Sequence, residues 1–285
     1  MTSTHSAPLR RIFTDPGLQQ RFDRDGYVVI DFLDEAEVRT LRRWWERHPD
    51  TVNERGFAPS TLSENVEYRL AVTELIGEVY DLPRRGLLDD YRFIVANYLS
   101  KKPRDGEVFI HQDPSFVFDH LYTAVEFWVP LVDVDRRNGC LRVIRGSHRL
   151  NPTLRPSEPY FPYKHLNAFM YAHCLTDVPM RAGQAFVFTQ MLFHSSPPNQ
   201  SDAFRIAAGG LYVPAEAQLL YVNPDDRLHP TRLEVLEAPD LFYTAEDYTA
   251  PPREARFLFA TDYRPSPLDE RRLRELVETL EPVVA

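Results

Sequence analysis

Hydrophobic and polar positions change their rhythm once along this chain. Between about residues 14 and 90 the apolar side chains recur at helical intervals, and from Tyr91 onward they gather into short runs bounded by turn residues. Thr14-Asp15-Pro16 reads as a capped helix start with proline in the first turn, and Gly26 ends that helix. Tyr27–Ile30 follows as a short strand. Asp34-Glu35-Ala36-Glu37 resembles a capping box, opening a helix to about Arg47 with Val38, Leu41, Trp44 and Trp45 as its apolar positions. A third helical pattern runs from about Ser63 to Tyr80, with Val66, Leu70, Thr73, Leu75 and Val79 expected to face inward.

The second rhythm belongs to strands. Tyr91–Leu99, Val108–His111, Tyr122–Leu131, Leu141–Ile144, Tyr171–Val178, Ala185–Thr189 and Phe204–Val213 are β-rich. Asp105-Gly106, Asn138-Gly139, Arg145-Gly146-Ser147 and Ala182-Gly183-Gln184 punctuate them. Seven or eight short strands without intervening helices predict a mainly β fold, a double-stranded β-helix (a cupin-like jelly roll), with the early helices packed on one sheet. Two aromatic connections, 149–170 and 214–253, are expected to be irregular lids or binding loops. Ala255–Ala260 reads as a last strand, and Pro267–Leu280 as a surface helix with Leu273, Leu276 and Leu280 on one face. The expected organisation is one domain over 1–285: a loose tail at 1–13, helical support at 14–90, the jelly roll at 91–215, and a loop, last strand and C-terminal helix at 216–285.

Composition removes several classes of function. The 285 residues carry a formal net charge of −9, which leaves no basic footprint for nucleic acid. A hydrophobic fraction of 43% and a charged fraction of 26% are those of a globular protein. No apolar run reaches the length of a membrane span, and Met1–Arg11 lacks the apolar segment of a signal peptide. Cys140 and Cys174 are too few for a disulfide framework and read as small buried residues in a reducing compartment. The expectation is a cytoplasmic protein with a small-molecule partner and no nucleic acid or membrane partner; oligomeric state is not legible.

The chemistry gathers around Phe109-Ile110-His111-Gln112-Asp113-Pro114. Side chains at i and i+2 of a strand share a face, so His111 and Asp113 project together. An imidazole and a carboxylate are two members of the facial triad that holds non-haem Fe(II) with open positions, although His-x-Asp alone also fits a surface hydrogen bond. The strand Ala185–Phe188 leads to Phe193-His194-Ser195-Ser196, and in a jelly roll strands distant in sequence face each other, so His194 is able to complete the set. Ten residues further lies Arg205. A guanidinium fork suits the far carboxylate of a dicarboxylate that chelates the iron, and Ser196 offers that carboxylate a hydroxyl.

Phe127-Trp128-Val129-Pro130-Leu131, the run Asn138 to His148, His194-Ser195-Ser196 and Arg205 together resemble the phytanoyl-CoA dioxygenase family, over roughly residues 15–215. The resemblance implies an Fe(II)- and 2-oxoglutarate-dependent oxygenase on a double-stranded β-helix. It implies His111, Asp113 and His194 as metal ligands, Arg205 and Ser196 as 2-oxoglutarate residues, and Trp128 and Asn97 in the co-substrate pocket. The turn before the distal strand is Gly183-Gln184 where the family usually has Gly-Asp. Halogenating relatives lose the carboxylate ligand; Asp113 is present, which favours hydroxylation.

The reading is a dioxygenase that uses Fe(II), 2-oxoglutarate and O2 to hydroxylate an unactivated C–H of a small biosynthetic or secondary-metabolite intermediate, releasing succinate and CO2. The same cofactor set also supports desaturation, cyclisation or epoxidation. Two other readings stand beside it: a non-catalytic ligand-binding jelly roll, and a cupin-like enzyme using another metal without a 2-oxo acid. Phe116, Tyr160 and Tyr163 are candidate substrate residues, and Glu126 either contacts substrate or faces solvent. His148 is expected to fix a turn, and Lys101, Lys102 and Arg104 form no clear site for a coenzyme A pyrophosphate.

Overall fold

Helix starts and turns that the sequence marks are the ones the chain uses. In the computed structural model, which describes residues 10–84, 86–158 and 160–280, helix α1 (Pro16–Asp25) is capped by the Asp15 side chain and ended by Gly26 at φ +82°. Strand β1 (Tyr27–Asp31) and helix α2 (Glu35–Arg47) follow, and Asp34 and Glu37 exchange both bonds of a capping box. After β2 (Phe57–Pro59) comes α3 (Val66–Arg84). The strands β3 (Tyr91–Lys101), β4 (Val108–His111), β5 (Val125–Pro130) and β6 (Leu141–Val143) are next. A short α4 (Asn167–His173) precedes β7 (Thr176–Val178), β8 (Gln184–Thr189), β9 (His194–Ser196) and β10 (Arg205–Pro214).

Two antiparallel sheets face each other. The larger has the order β1-β8-β5-β10-β3-β2 and the smaller β4-β9-β6-β7, the arrangement of a double-stranded β-helix. Alternation along each strand of the larger sheet assigns its two faces. Val125, Phe127 and Val129 of β5 pack outward with Ala185, Val187, Ala208 and Tyr212 against Leu41, Val72, Ile76 and Tyr80 of the helices. Trp128, Phe186, Phe188 and Ala207 point the other way and meet Leu141, Val143 and Val178 of the smaller sheet. The same parity turns Glu126, Asn97, Gly209 and Arg205 into the space between the sheets.

Four expectations are corrected. Residues 1–9 lie outside the described residues, but Ile12 and Phe13 are buried, with Phe13 set edge-on against Phe22, so 10–13 is not a loose tail. The inward face of α3 is Tyr68, Val72, Ile76 and Tyr80; Val66 and Leu70 are exposed. That face is selected by partners the helix pattern does not contain, such as the Ala208 carbonyl that accepts from the Tyr80 hydroxyl at 2.9 Å. The expected strand Tyr171–Val178 is split: its first three residues end α4, and only Thr176–Val178 are strand. The connection 214–253 is not wholly irregular: it contains β11 (Leu220–Pro224), β12 (Arg232–Glu237) and a short α5 (Phe242–Ala245). With β13 (Arg256–Asp262) they make a three-stranded sheet ahead of α6 (Glu270–Thr279). No helix among the described residues is long and apolar enough to cross a membrane.

Gly183, at φ +86°, closes the turn into β8 by bringing its carbonyl to the amides of Phe32 and Leu33. A Cβ there would stand 2.5 Å from the Leu33 carbonyl oxygen. Gly183→Ala is therefore expected to lose at least about 1–2 kcal/mol from the left-handed backbone alone, read as a lower urea midpoint.

Candidate metal and co-substrate site

The smaller sheet brings its two chemistry-bearing histidines together by register. In the antiparallel pair β4–β9, His111 stands opposite His194, and their ring centroids are 4.2 Å apart. Asp113 leaves the chain just past β4. Its Oδ1 is 3.5 Å from His111 Nε2 and its Oδ2 3.9 Å from His194 Nε2. The donor atoms of the three lie within 4.8 Å of one another, and they form the one such cluster among the described residues. Each imidazole has its Nδ1 against a backbone carbonyl two residues earlier, His111 on Phe109 at 2.8 Å and His194 on Leu192 at 3.0 Å. A carbonyl only accepts, so each Nδ1 carries a proton and each Nε2 is directed at the space beside Asp113.

The electrostatics suit a cation there. Burial, then the charge of His111, pull His194 down to about 4, so it is neutral at pH 7. Burial also pulls on His111, but the Asp113 hydrogen bond and charge outweigh it and leave His111 raised. Burial would raise Asp113, yet its two imidazole neighbours, the His111 hydrogen bond and the Arg155 guanidinium hold it below its ordinary value. Two imidazole nitrogens and one carboxylate make the donor set that an Fe(II) facial triad requires.

Behind Asp113 stands a clamp that no local pattern announces. Arg155, buried, donates from Nε to the Asp113 carbonyl at 2.6 Å and from Nη2 to Asp119 at 3.1 Å. Ser115 donates to the other Asp119 oxygen and accepts from the Arg155 amide. Gln112 is held likewise, by Met191 and Asn151.

Arg205 opens β10 and sits between the sheets, 2% exposed. Nη1 donates to the Leu99 carbonyl at 3.0 Å, the guanidinium lies 5.3 Å from the Trp128 ring centre, and the buried Nε has no acceptor. No carboxylate among the described residues pairs with it. Burial pulls it down to about 9, which still leaves it charged at neutral pH. Its register partner Lys101 is fully buried too, but Lys101 is engaged: Nζ donates to the Ser196 carbonyl and hydroxyl and to the Pro197 carbonyl. Burial, then the Arg205 charge, pull Lys101 down to about 6. The Ser196 hydroxyl in turn donates to the Gly139 carbonyl at 2.8 Å, so its proton is already committed; that of Ser195 is buried without a partner.

All of these groups open on one cavity of about 930 Å³. His111, Asp113, His194, Arg205, Ser196, Trp128 and Asn97 line it, as does Phe116, which meets Tyr243 at a centroid distance of 4.9 Å. Tyr160 and Tyr163 do not line it. Tyr163 is buried against Phe161 and Phe193 and donates to the Ser266 carbonyl, and Tyr160 stands on Tyr263. His148 ties to the end of α1 rather than across its own turn, its Nε2 3.2 Å from the Asp23 carbonyl. Lys102 is spent on the Glu54 carbonyl and Arg104 on Asp202, both on the surface. Sequence reasoning missed Gln190, Tyr248 and the pair Arg227–Glu158, at 2.8 Å, which also line the cavity. Glu126 faces the cavity rather than bulk solvent, and burial, then the Asp113 charge, push it up to about 8 against the pull of Gln190.

Residues 22–207 match the family model described as phytanoyl-CoA dioxygenase (PhyH). Phytanoyl-CoA dioxygenase 1 of Oryza sativa subsp. japonica is 29% identical over 117 residues, 40% of this chain and 42% of that protein. Phytanoyl-CoA dioxygenase of Arabidopsis thaliana is 30% identical over 113 residues, 39% of this chain and 40% of that protein. The chain thus spans about two-fifths of the length of the curated relatives it matches. Among solved structures, HygX from Streptomyces hygroscopicus with nickel, 2-oxoglutarate and hygromycin B bound aligns at a TM-score of 0.50 and 17% identity, over 71% of this chain and 88% of that one. The non-heme alpha ketoglutarate dependent carbocyclase SnoK from nogalamycin biosynthesis aligns at 0.52 and 22%, over 76% and 91%. EctD from S. alaskensis with 2-oxoglutarate and 5-hydroxyectoine aligns at 0.51 and 21%, over 75% and 81%. At these identities the likeness is one of fold.

The clamp yields a prediction. Arg155→Ala strands the buried Asp119 carboxylate and is expected to cost about 3–5 kcal/mol in denaturant unfolding. Removing both charges, as Arg155→Met with Asp119→Leu, is expected to recover most of that loss.

Proposed function

This chain belongs to the phytanoyl-CoA dioxygenase family, the non-haem Fe(II)/2-oxoglutarate dioxygenases, and from that premise we propose that it oxidises an unactivated C–H bond of a small biosynthetic intermediate, by hydroxylation. The observation that carries the co-substrate half of the reading is Arg205, a buried guanidinium with no anion among the described residues. A buried charge without a counter-charge is costly, and a site that keeps one is completed by a ligand of opposite sign. A dicarboxylate reaching from the His111–Asp113–His194 cluster towards Arg205 supplies it.

In this reading Nε2 of His111 and of His194 and the carboxylate of Asp113 hold Fe(II). Their orientation is set before metal arrives, by the Phe109 and Leu192 carbonyls and by Arg155. Arg205 receives the distal carboxylate of 2-oxoglutarate. Trp128 covers the guanidinium face and excludes water from it, and Ser195 furnishes the uncommitted hydroxyl nearby, whereas the Ser196 hydroxyl is held by Gly139 and Lys101. Asn97 borders the same space. With O2, the bound iron and 2-oxoglutarate supply the oxidising chemistry, yielding succinate, CO2 and an oxidised substrate. The protein's part is to hold substrate carbon against that centre in a cavity walled by Val95, Phe116, Leu211 and Tyr243.

The test is spectroscopic. Metal-free protein given Fe(II) and 2-oxoglutarate under strict anaerobiosis is expected to develop a weak visible charge-transfer band that needs both additions. Arg205→Ala is expected to weaken 2-oxoglutarate by about 10–100-fold, the worth of a charged, two-pronged hydrogen bond. Unchanged co-substrate affinity in that variant would remove 2-oxoglutarate from the reading. Asp113→Ala is expected to abolish iron-dependent succinate release while circular dichroism stays native.

A further inference from the structure

Once iron and 2-oxoglutarate are allotted their residues, the cavity keeps one carboxyl without a counterpart. Three carboxyl groups line it, Asp113, Glu126 and Glu158, together with two guanidinium groups, Arg205 and Arg227. Glu158 is paired with Arg227 at 2.8 Å. Asp113 belongs to the metal cluster and Arg205 to the co-substrate. Glu126 alone has no cation within ion-pair distance among the described residues.

Its neighbours repeat the pattern. Glu126 and Trp128 sit on the inward face of β5, and Asn97 of β3 reaches the same spot across β10. Between them stands Gly209, paired with both Asn97 and Trp128. A Cβ on Gly209 would lie 2.5 Å from Asn97 Oδ1 and 2.8 Å from Glu126 Oε1, so the glycine leaves a notch bordered by two acceptor oxygens. Asn97 Oδ1 is buried and accepts no hydrogen bond. The unbonded Asn97 Oδ1 shares this notch with a half-buried Glu126 carboxyl whose one neighbouring side-chain donor is the neutral amide of Gln190, and two acceptors so placed call for a charged donor brought from outside. Around and above them the walls are apolar: Val95, Leu99, Phe116, Leu211 and Tyr243.

We propose that Glu126, with Asn97, is the substrate anchor of this site, and that the substrate is a compact apolar molecule carrying a protonated amine that docks in the notch over Gly209. The inference rests on the oxygenase reading for its account of Asp113 and Arg205. The charge count also disfavours a polyanion such as a coenzyme A ester, because Lys102 and Arg104 are engaged on the surface and Lys101 is closed in behind Ser196. Holding one end of a rigid body in the notch presents its other carbons to the space beside the His111–Asp113–His194 cluster, so Glu126 selects which C–H is exposed to oxidation.

Three probes of one shape test it: adamantylmethylamine, adamantylmethanol and adamantanecarboxylate, titrated calorimetrically into protein loaded with Zn(II) and 2-oxoglutarate, where no turnover occurs. The ammonium is expected to bind about tenfold or more tighter than the alcohol, as a charged hydrogen bond in a desolvated site does, with the carboxylate weakest. In the near-isosteric Glu126→Gln the ammonium and alcohol are expected to converge. Gly209→Ala, which fills the notch and keeps the charge, is expected to weaken both. Equal binding of ammonium and alcohol by the wild type, a preference that survives Glu126→Gln, or no binding of any probe in the millimolar range overturns the proposal. A separate 2-oxoglutarate titration keeps the two readings apart. If the co-substrate does not bind but the ammonium preference holds and needs Glu126, the oxygenase reading falls and the amine site stands.

Discussion

Each strand of the six-stranded sheet must satisfy two different neighbours, and its side chains can do so only by alternation. On one side are helices α2 and α3, which require an apolar surface; on the other is the cavity. In β5 the requirement produces Val125, Phe127 and Val129 on the helix side and Glu126 and Trp128 on the cavity side. In β10 it places Ala208 and Tyr212 against the helices and Arg205, Gly209 and Leu211 inward. A slip of one residue in either pairing would drive Glu126 or Arg205 into the helix core and empty the site. The packing that stabilises the fold and the registry of the chemistry are therefore one constraint.

Within that frame the polar interior is divided sharply. Some buried basic groups are fully answered by the chain itself: Arg155 by Asp119 and the carbonyls of Asp113 and Thr153, Lys101 by three oxygens, Arg69 by the carbonyls of Ser63, Thr244 and Ala245. These hold backbone in place around the cavity. Other polar groups are left open towards it: Arg205 Nε, Asn97 Oδ1, the Ser195 hydroxyl and the Nε2 atoms of two histidines. Native proteins leave few buried polar groups unanswered. A set of them converging on one space is what distinguishes a ligand site from a merely hollow core.

The C-terminal third adds the roof. β11 and β12 carry Phe242 and Tyr243 onto the end of β3 and β10, where they pack with Ile94, Leu211 and Tyr221. Arg227, in the turn between β11 and β12, ties to Glu158 and to the Thr249 carbonyl, linking the two long connections over the cavity. The second of the two connections expected to be irregular thus carries two strands of a small sheet. Its strands are short, and β13 exposes Phe257 and Phe259, so the alternation that marks a half-buried strand is blurred there.

Local chemistry alone carried much of the rest. The Asp15 and Asp34 caps, the glycine turns and the runs of β4, β5, β8 and β10 follow from interactions within a few residues, and the sequence states them. His-x-Asp, the distal histidine and the arginine after it were likewise legible as residue types in chain order. Sequence could not give what depends on partners far along the chain. The inward face of α3 is chosen by the Ala208 carbonyl and the β-sheet beneath it, so the helix turned Tyr68, Val72, Ile76 and Tyr80 inward instead of Val66 and Leu70. Tyr160 and Tyr163 look like pocket aromatics until Tyr263 and Phe193 claim them. The hold of Arg155 on Asp113, and the notch that Asn97 and Glu126 form over Gly209, join residues about thirty to more than a hundred positions apart. The sequence determined the capped helices, most core strands and the donor atoms because those are short-range properties; which of the atoms meet, and which are left unpaired, was decided only when the two sheets closed on each other.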